Sequence, residues 1–303
     1  MKRDIPEILV GYEDYMTIIQ EKSPNTVYSY LIDLMLLMDY LKTNEKYQDL
    51  KIDESFIESI ELQDIYGFLS YLKKKRNNSS FARARKVASI KSFFKYCETK
   101  LKILSNNPCR DLEIPKKSKK QIYYLNLEES KNLLENIVGR NEKRDLAILT
   151  LFLNCGLRLS ELCNIKVTDI KEDKLVVRGK GDKYRTIYLN ESCLRAICEY
   201  QEERKHIKHS YLFISERKNQ ICKREVQYIV KNNIRGTGLD TNKYTTHKLR
   251  HTAATLMFKH SKVDIRTLQE ILGHKNIATT TIYTHVDDDQ LRNAIKSNPL
   301  NEI

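Results

Sequence analysis

Apolar residues along the first hundred positions recur at spacings of three and four, the period of an amphipathic helix. The clearest run is "SPNTVYSYLIDLMLLMDYL", in which Ser23 offers a cap, Pro24 suits a first helical turn, and the apolar period continues through Leu41. A helix is expected before it, another near Leu62 to Lys75, and a fourth in "FARARKVASIKSFFKYC", where Val87, Ile90, Phe93 and Phe94 share one face. Residues 1–112 therefore read as a four-helix unit. The segment "NNPCRDLEIPKKSKKQ" follows, with two prolines and four lysines but no period. Such a span marks an exposed linker, placed at residues 113–121.

The second domain, residues 122–303, begins with two helical runs, "LNLEESKNLLENI" and "RDLAILTLFLNC". In "KLVVRGKGDKYRTIYL" the pattern changes to two β-rich runs around Gly179, Gly181 and Asp182, which predicts a hairpin. The remainder returns to the helical period. The chain is thus expected to be mainly α with a small β-sheet, without internal repeats.

Composition changes this picture in three ways. With 303 residues and 41% hydrophobic content the chain can bury real cores, yet it has no apolar run near the roughly 18 residues of a membrane span. "MKRDIPEILVGYEDYM" carries acids where a signal peptide would be apolar, so a cytoplasmic protein without a membrane partner is expected. The seven cysteines are odd in number and form no CxxC pair, which argues for reduced, packing thiols. Net charge is +13, and it is unevenly spread. Residues 1–64 hold six Lys/Arg against fourteen Asp/Glu, whereas residues 65–97 hold nine cations and no acid. Those nine, Lys73, Lys74, Lys75, Arg76, Arg83, Arg85, Lys86, Lys91 and Lys95, are the candidate contacts to a polyanion, read as nucleic acid.

The chemistry-bearing residues lie in the second domain. "TTHKLRH" spaces His247 and His251 like the zinc signature HExxH, but Lys248 and Arg250 stand where a base and a neutral surround are needed, so no metal is expected. "NCGLRLSELCNI" ends one helix at Gly156 and starts another near Ser160. Arg158 then falls at a helix N-terminus, where the dipole disfavours a cation; that suggests an anion shared with the backbone N–H groups, while an ordinary surface arginine is the simpler reading of "GLRLSEL" by itself. Glu161 reads there as no more than a good first-turn residue. Lys180 sits at the hairpin tip between glycines, His274 follows the apolar stripe of "VDIRTLQEILG", and Tyr283 lies in "TTTIYTHV".

Each signal alone has an ordinary explanation in packing or solvation. In this order, "GLRLSEL", "GKGDK", "HKLRH", "LGH" and "IYTHV" resemble the tyrosine recombinases of the phage integrase family, and within them the bacterial Xer branch. The resemblance spans nearly the whole chain. It implies an N-terminal SAM-like core-binding domain and a mixed α/β catalytic domain that together form a C-shaped clamp on double-stranded DNA.

By this resemblance Arg158, Lys180, His247, Arg250 and His274 surround the scissile phosphate and Tyr283 is the nucleophile. Two planar guanidiniums suit the non-bridging oxygens, neighbouring cations favour the phenolate, His247 accepts its proton, and Lys180 protonates the leaving 5′-oxygen. Tyr283 would form a 3′-phosphotyrosine, and two rounds of exchange would pass through a Holliday junction. The phosphotyrosine conserves the bond energy, so no cofactor, neither ATP nor a metal, is required. The resemblance further implies a homo- or hetero-tetramer on synapsed sites, with a paralogue as one candidate partner and a septal DNA translocase as a candidate activator. A tail helix with Leu291, Ala294 and Ile295 would dock on a neighbouring protomer.

Other readings fit parts of the pattern. A mobile-element integrase shares the chemistry, but many carry an additional arm-binding domain, and residues 1–112 are spent on the core-binding unit. That favours a resolvase of chromosome dimers. A type IB topoisomerase would use the same phosphotyrosine as a monomer, and a non-catalytic DNA-binding protein would have no need of Tyr283.

Overall fold

The structure, a computed structural model, describes residues 5–114, 123–179, 184–261, 263–273 and 280. The chain divides into two compact units, Met1–Lys120 and Gln121–Ile303.

In the first unit, α1 (Glu7–Asp14) runs on as a π-helical turn over Tyr15–Ile19. It is followed by α2 (Pro24–Leu41), α3 (Glu54–Glu58), α4 (Leu62–Lys74) and α5 (Ser80–Tyr96), the last also prolonged by a π turn over Cys97–Leu101. Pro24 occupies the first turn of α2, and the Ser23 hydroxyl bonds Thr26 Oγ1 at 2.8 Å without capping the backbone. Leu34, Leu37 and Met38 of α2 meet Phe68 and Leu72 of α4 and Ile90, Phe93 and Phe94 of α5 in one buried core. The short α3 was not expected from the period: at five residues it is too brief to register one, and the Asp53 carboxylate, accepting from Phe56 N at 3.2 Å, starts it.

The second unit holds α6 (Leu127–Glu135), α7 (Glu142–Cys155), α8 (Leu159–Cys163), a three-stranded antiparallel sheet, then α9 (Glu191–Glu203), α10 (Lys223–Gly236), α11 (Thr246–His260) and α12 (Ile265–Leu272). The sheet runs β1 (Ile170–Lys171), β2 (Lys174–Arg178), β3 (Tyr184–Tyr188) in order. The predicted hairpin is β2 with β3, in register Leu175 to Ile187 and Val177 to Arg185. The two-residue β1 was not expected, because two residues cannot display an alternation. In α7, Ala147, Ile148, Leu149, Leu151 and Phe152 are all buried, so it is a central helix, with α9 and α11 packed on it. All seven cysteines are free, and Cys155 and Cys193 touch sulfur to sulfur at 3.7 Å within the core.

The cationic stretch is less uniform than its sequence. Lys73, Lys74, Lys75, Arg76, Arg85 and Lys95 are exposed, and Arg83 and Lys91 are half-buried. Lys91 donates to the Arg110 and Leu112 carbonyls. Lys86 departs from the expected cationic face: it is buried, its ammonium 2.5 Å from Asp33 Oδ1. Asp33 is itself fully buried on α2 and also receives the Arg85 fork at 2.5 and 2.9 Å and Ser89 Oγ at 3.2 Å. A buried carboxylate needs these partners, and it draws Lys86 inward away from any ligand.

Candidate functional site

Three helix ends build the site. α7 stops at Gly156, whose φ of 58° is left-handed, and three residues on Leu159 opens α8 with Arg158 as its N-cap. α11 begins at Thr246 and carries His247 and Arg250 on its first turns. α12 ends at Gly273, also left-handed at φ 63°.

Glu161 joins these ends. Its Oε2 accepts from the Arg158 backbone N–H at 2.7 Å, and its Oε1 accepts from Arg158 Nη1 at 2.8 Å. Arg185 of β3 grips both oxygens, at 2.5 and 2.9 Å, and Arg250 Nη1 lies 4.0 Å from Oε2. Burial pushes the Glu161 carboxyl upward, but the bonds and charge of Arg185, then those of Arg158, outweigh it and hold the group below its ordinary value. One buried carboxylate thus faces three guanidiniums. The same arginines cap the end of α12: Arg185 Nε donates to the Ile271 carbonyl at 3.1 Å, Arg250 Nη2 to Leu272 at 2.6 Å, and Arg158 Nη2 to Gly273 at 2.7 Å. Helix carbonyls carry only partial negative charge, so the surround stays cationic and suits an anion.

Arg158, His247 and Arg250 line one cleft of about 450 Å³, together with Ser160, Lys223 and Thr246. Arg250 is nearly sealed, its Nη1 donating to the Gly156 carbonyl at 2.5 Å, while a third of the Arg158 side chain is open. His247 is exposed at the rim, its ring edge-to-face with that of His251 at 4.4 Å between centroids. Desolvation at the helix start, then the charges of Arg250, Lys248 and Arg158, hold the His247 imidazole below its ordinary value. A neutral imidazole at neutral pH can accept a proton. His251 is buried, and no group of three metal-binding side chains occurs among the described residues.

Of the six residues expected at the catalytic centre, three therefore converge on the cleft. Lys180, His274 and Tyr283 lie outside the described residues, as does the tail helix. Of the backbone N–H groups expected to be free at the start of α8, that of Arg158 is taken by Glu161. Three participants escaped the sequence reading: Glu161, Arg185 and Lys223. A signal existed for Arg185, which shares its parity along β3 with the buried Ile187, and a cation on the inward side of an alternating strand needs a buried anion.

The profile of the phage integrase family matches residues 123–290, and that of the phage integrase N-terminal SAM-like domain matches residues 9–100. The chain belongs to the phage integrase family. Tyrosine recombinase XerC of Caldanaerobacter subterraneus is 49% identical over 98% of this chain and 88% of its own length. The crystal structure of XerA recombinase superposes with a TM-score of 0.52 at 28% identity, covering 96% of this chain and 97% of that one. XerH site-specific recombinase bound to palindromic difH shares the fold, with a TM-score of 0.73 at 23% identity over 89% of this chain and 79% of that one. The chain is a site-specific recombinase of the Xer type, an enzyme of DNA strand exchange.

Proposed function

We propose that the cleft of Arg158, His247 and Arg250 holds the scissile phosphate of double-stranded DNA. The observation that carries this reading is the convergence of a cation from α8 and a cation and an imidazole from α11, some ninety positions apart, on one cationic cleft. The two guanidiniums bind the non-bridging oxygens, whose charge grows as the phosphorus becomes pentacoordinate. Tyr283 Oη attacks phosphorus and passes its proton to His247; the bond to the 5′-oxygen breaks as Lys180 protonates it. His274 donates a hydrogen bond to the phosphate. Attack by the 5′-hydroxyl of a partner strand on the 3′-phosphotyrosine restores the tyrosine and joins the exchanged strands.

Exposed Lys73, Lys74, Lys75, Arg76, Arg85 and Lys95, with half-buried Arg83 and Lys91, supply the sequence-independent contacts to DNA phosphates. Four protomers act on two synapsed sites, alone or paired with a paralogue, and a septal DNA translocase is the candidate activator. The role that fits is the resolution of chromosome dimers in the cytoplasm, where the likeness to XerC lends support. Among the described residues no helix is long and apolar enough to cross a membrane.

The test is covalent trapping on a nicked DNA site. The wild-type chain should accumulate a protein–DNA adduct, and Tyr283→Phe should bind equally well and form none. An adduct in the variant would move the nucleophile to another tyrosine, and no adduct from the wild type would argue for a DNA-binding protein without cleavage.

A further inference from the structure

We propose that Arg185 is a positioning residue of the recombination reaction, acting through Glu161 to present Arg158 and Arg250 to the scissile phosphate. The inference rests on the reading that those two arginines bind that phosphate.

Arg185 does not line the cleft, and its side chain is 14% exposed. It lies opposite Val177 on the inward face of the hairpin, among Leu175, Val177 and Ile187, a costly place for a cation without close partners. Three of its N–H groups are committed, two to the Glu161 carboxylate as a fork and the third to the Ile271 carbonyl. A fork fixes the plane of the carboxylate as well as its place, which a lysine ammonium cannot do.

What Glu161 has left then dictates Arg158. Oε1 takes Arg158 Nη1 and Oε2 takes the Arg158 backbone N–H, so the guanidinium is aimed by a carboxylate that is itself aimed by Arg185. The charge balance points the same way. With Arg185 as its principal partner, Glu161 does not pair off with Arg158 or Arg250 alone, and their charge stays available to an anion in the cleft. Without Arg185, the carboxylate would turn toward those two arginines and neutralise what the phosphate needs. The end of α12 is also shared, since Ile271, Leu272 and Gly273 offer successive carbonyls to Arg185, Arg250 and Arg158. Gly273 closes so tightly on Arg185 that a Cβ there would stand 3.0 Å from Arg185 Cδ.

The experiment compares full-length wild type, Arg185→Gln and Arg158→Ala on three nicked substrates: the natural phosphodiester, a methylphosphonate lacking one non-bridging oxygen charge, and a phosphodiester with sulfur as the 5′-bridging atom. Arg185→Gln should cleave the phosphodiester about 10²-fold more slowly, the scale of a misplaced catalytic group. Its DNA affinity should stay unchanged, because Arg185 stands outside the cleft and its N–H groups are committed to Glu161 and Ile271. The gap to wild type should close to within about tenfold on the methylphosphonate, whose transition state carries one negative charge fewer for the arginines to balance, and persist on the sulfur substrate. An equal gap on all three substrates would make Arg185 a purely structural residue, and closure on sulfur would mean that it acts through the general acid; either overturns the proposal. Arg158→Ala separates the two levels. If its gap closes on the methylphosphonate while that of Arg185→Gln does not, the positioning role fails alone; if its own gap stays open, the phosphate reading fails and this one with it. Should Arg185→Gln not fold, Arg185→Lys, which keeps the charge but not the fork, serves in the same comparison, with the same outcomes deciding.

Discussion

Glu161 holds Arg158 twice, by the backbone N–H at 2.7 Å and by Nη1 at 2.8 Å, so one carboxylate both starts α8 and aims the guanidinium at its N-cap. Glu161→Gln keeps the shape and removes the charge that three arginines share. Breaking a buried pair of this kind should cost about 3 kcal/mol of stability at neutral pH. The folded carboxyl lies below its ordinary value of 4.5, so this contribution is present above that value and is lost as pH falls through the lower, folded one. Denaturant melts at pH 7 and pH 3 check it: the difference between wild type and variant should shrink at the lower pH.

Asp33 and Lys86 separate fold from DNA binding within the basic stretch. Asp33→Asn leaves the buried Lys86 ammonium without its counter-charge and should cost about 3 kcal/mol. Lys73→Gln and Lys74→Gln should leave stability alone and each lower the slope of log affinity against log salt by about 1. Lys86→Met should not change that slope. Filter binding at several salt concentrations, beside thermal melts, distinguishes the two classes.

For His247 the expected titration midpoint in the free protein is below 6.5, since partial desolvation at the start of α11 and three cationic neighbours favour the neutral ring. NMR of the free chain, with His247→Gln for assignment, measures it. Binding a DNA site should raise the midpoint, because the phosphate adds negative charge beside the ring. A midpoint above 6.5 without DNA would contradict the cationic surround.

Gly156→Ala tests the joint of α7 with the cleft. A Cβ there would lie 2.9 Å from Leu272 Cδ2 on a backbone with φ 58°. Strain of this type costs on the order of 1–3 kcal/mol. The Gly156 carbonyl also anchors Arg250, so cleavage should fall more than the loss of stability explains. Single-turnover cleavage at a temperature where the variant is fully folded reads this directly.

Deleting residues 288–303 should weaken cooperative assembly on two-site DNA more than binding to a single site, if the tail docks on a neighbour. Gel shifts on half-sites and full sites make the comparison; equal losses would place the tail's role within its own protomer.

Much of this protein could be read from local pattern. Helical period located α2, α4, α5, α7 and α12, since a face apolar every three or four residues can be buried only as a helix. Gly156 and Gly273 announced two helix ends because left-handed backbone favours glycine. Short elements such as α3 and β1 left no period to find. Local pattern also could not tell which cations would remain in water. Lys86 looks like its neighbours in sequence, and the parity of Arg185 along β3 marks it as inward without naming a partner; each is drawn in by a carboxylate at least 24 positions away, Asp33 and Glu161. Pairing of charge across the fold depends on which faces meet, and only the tertiary structure decides that. Glu161 became the hub of three arginines because α8, α11, β3 and the end of α12 converge on it, and burial makes an unpaired charge too costly to leave there.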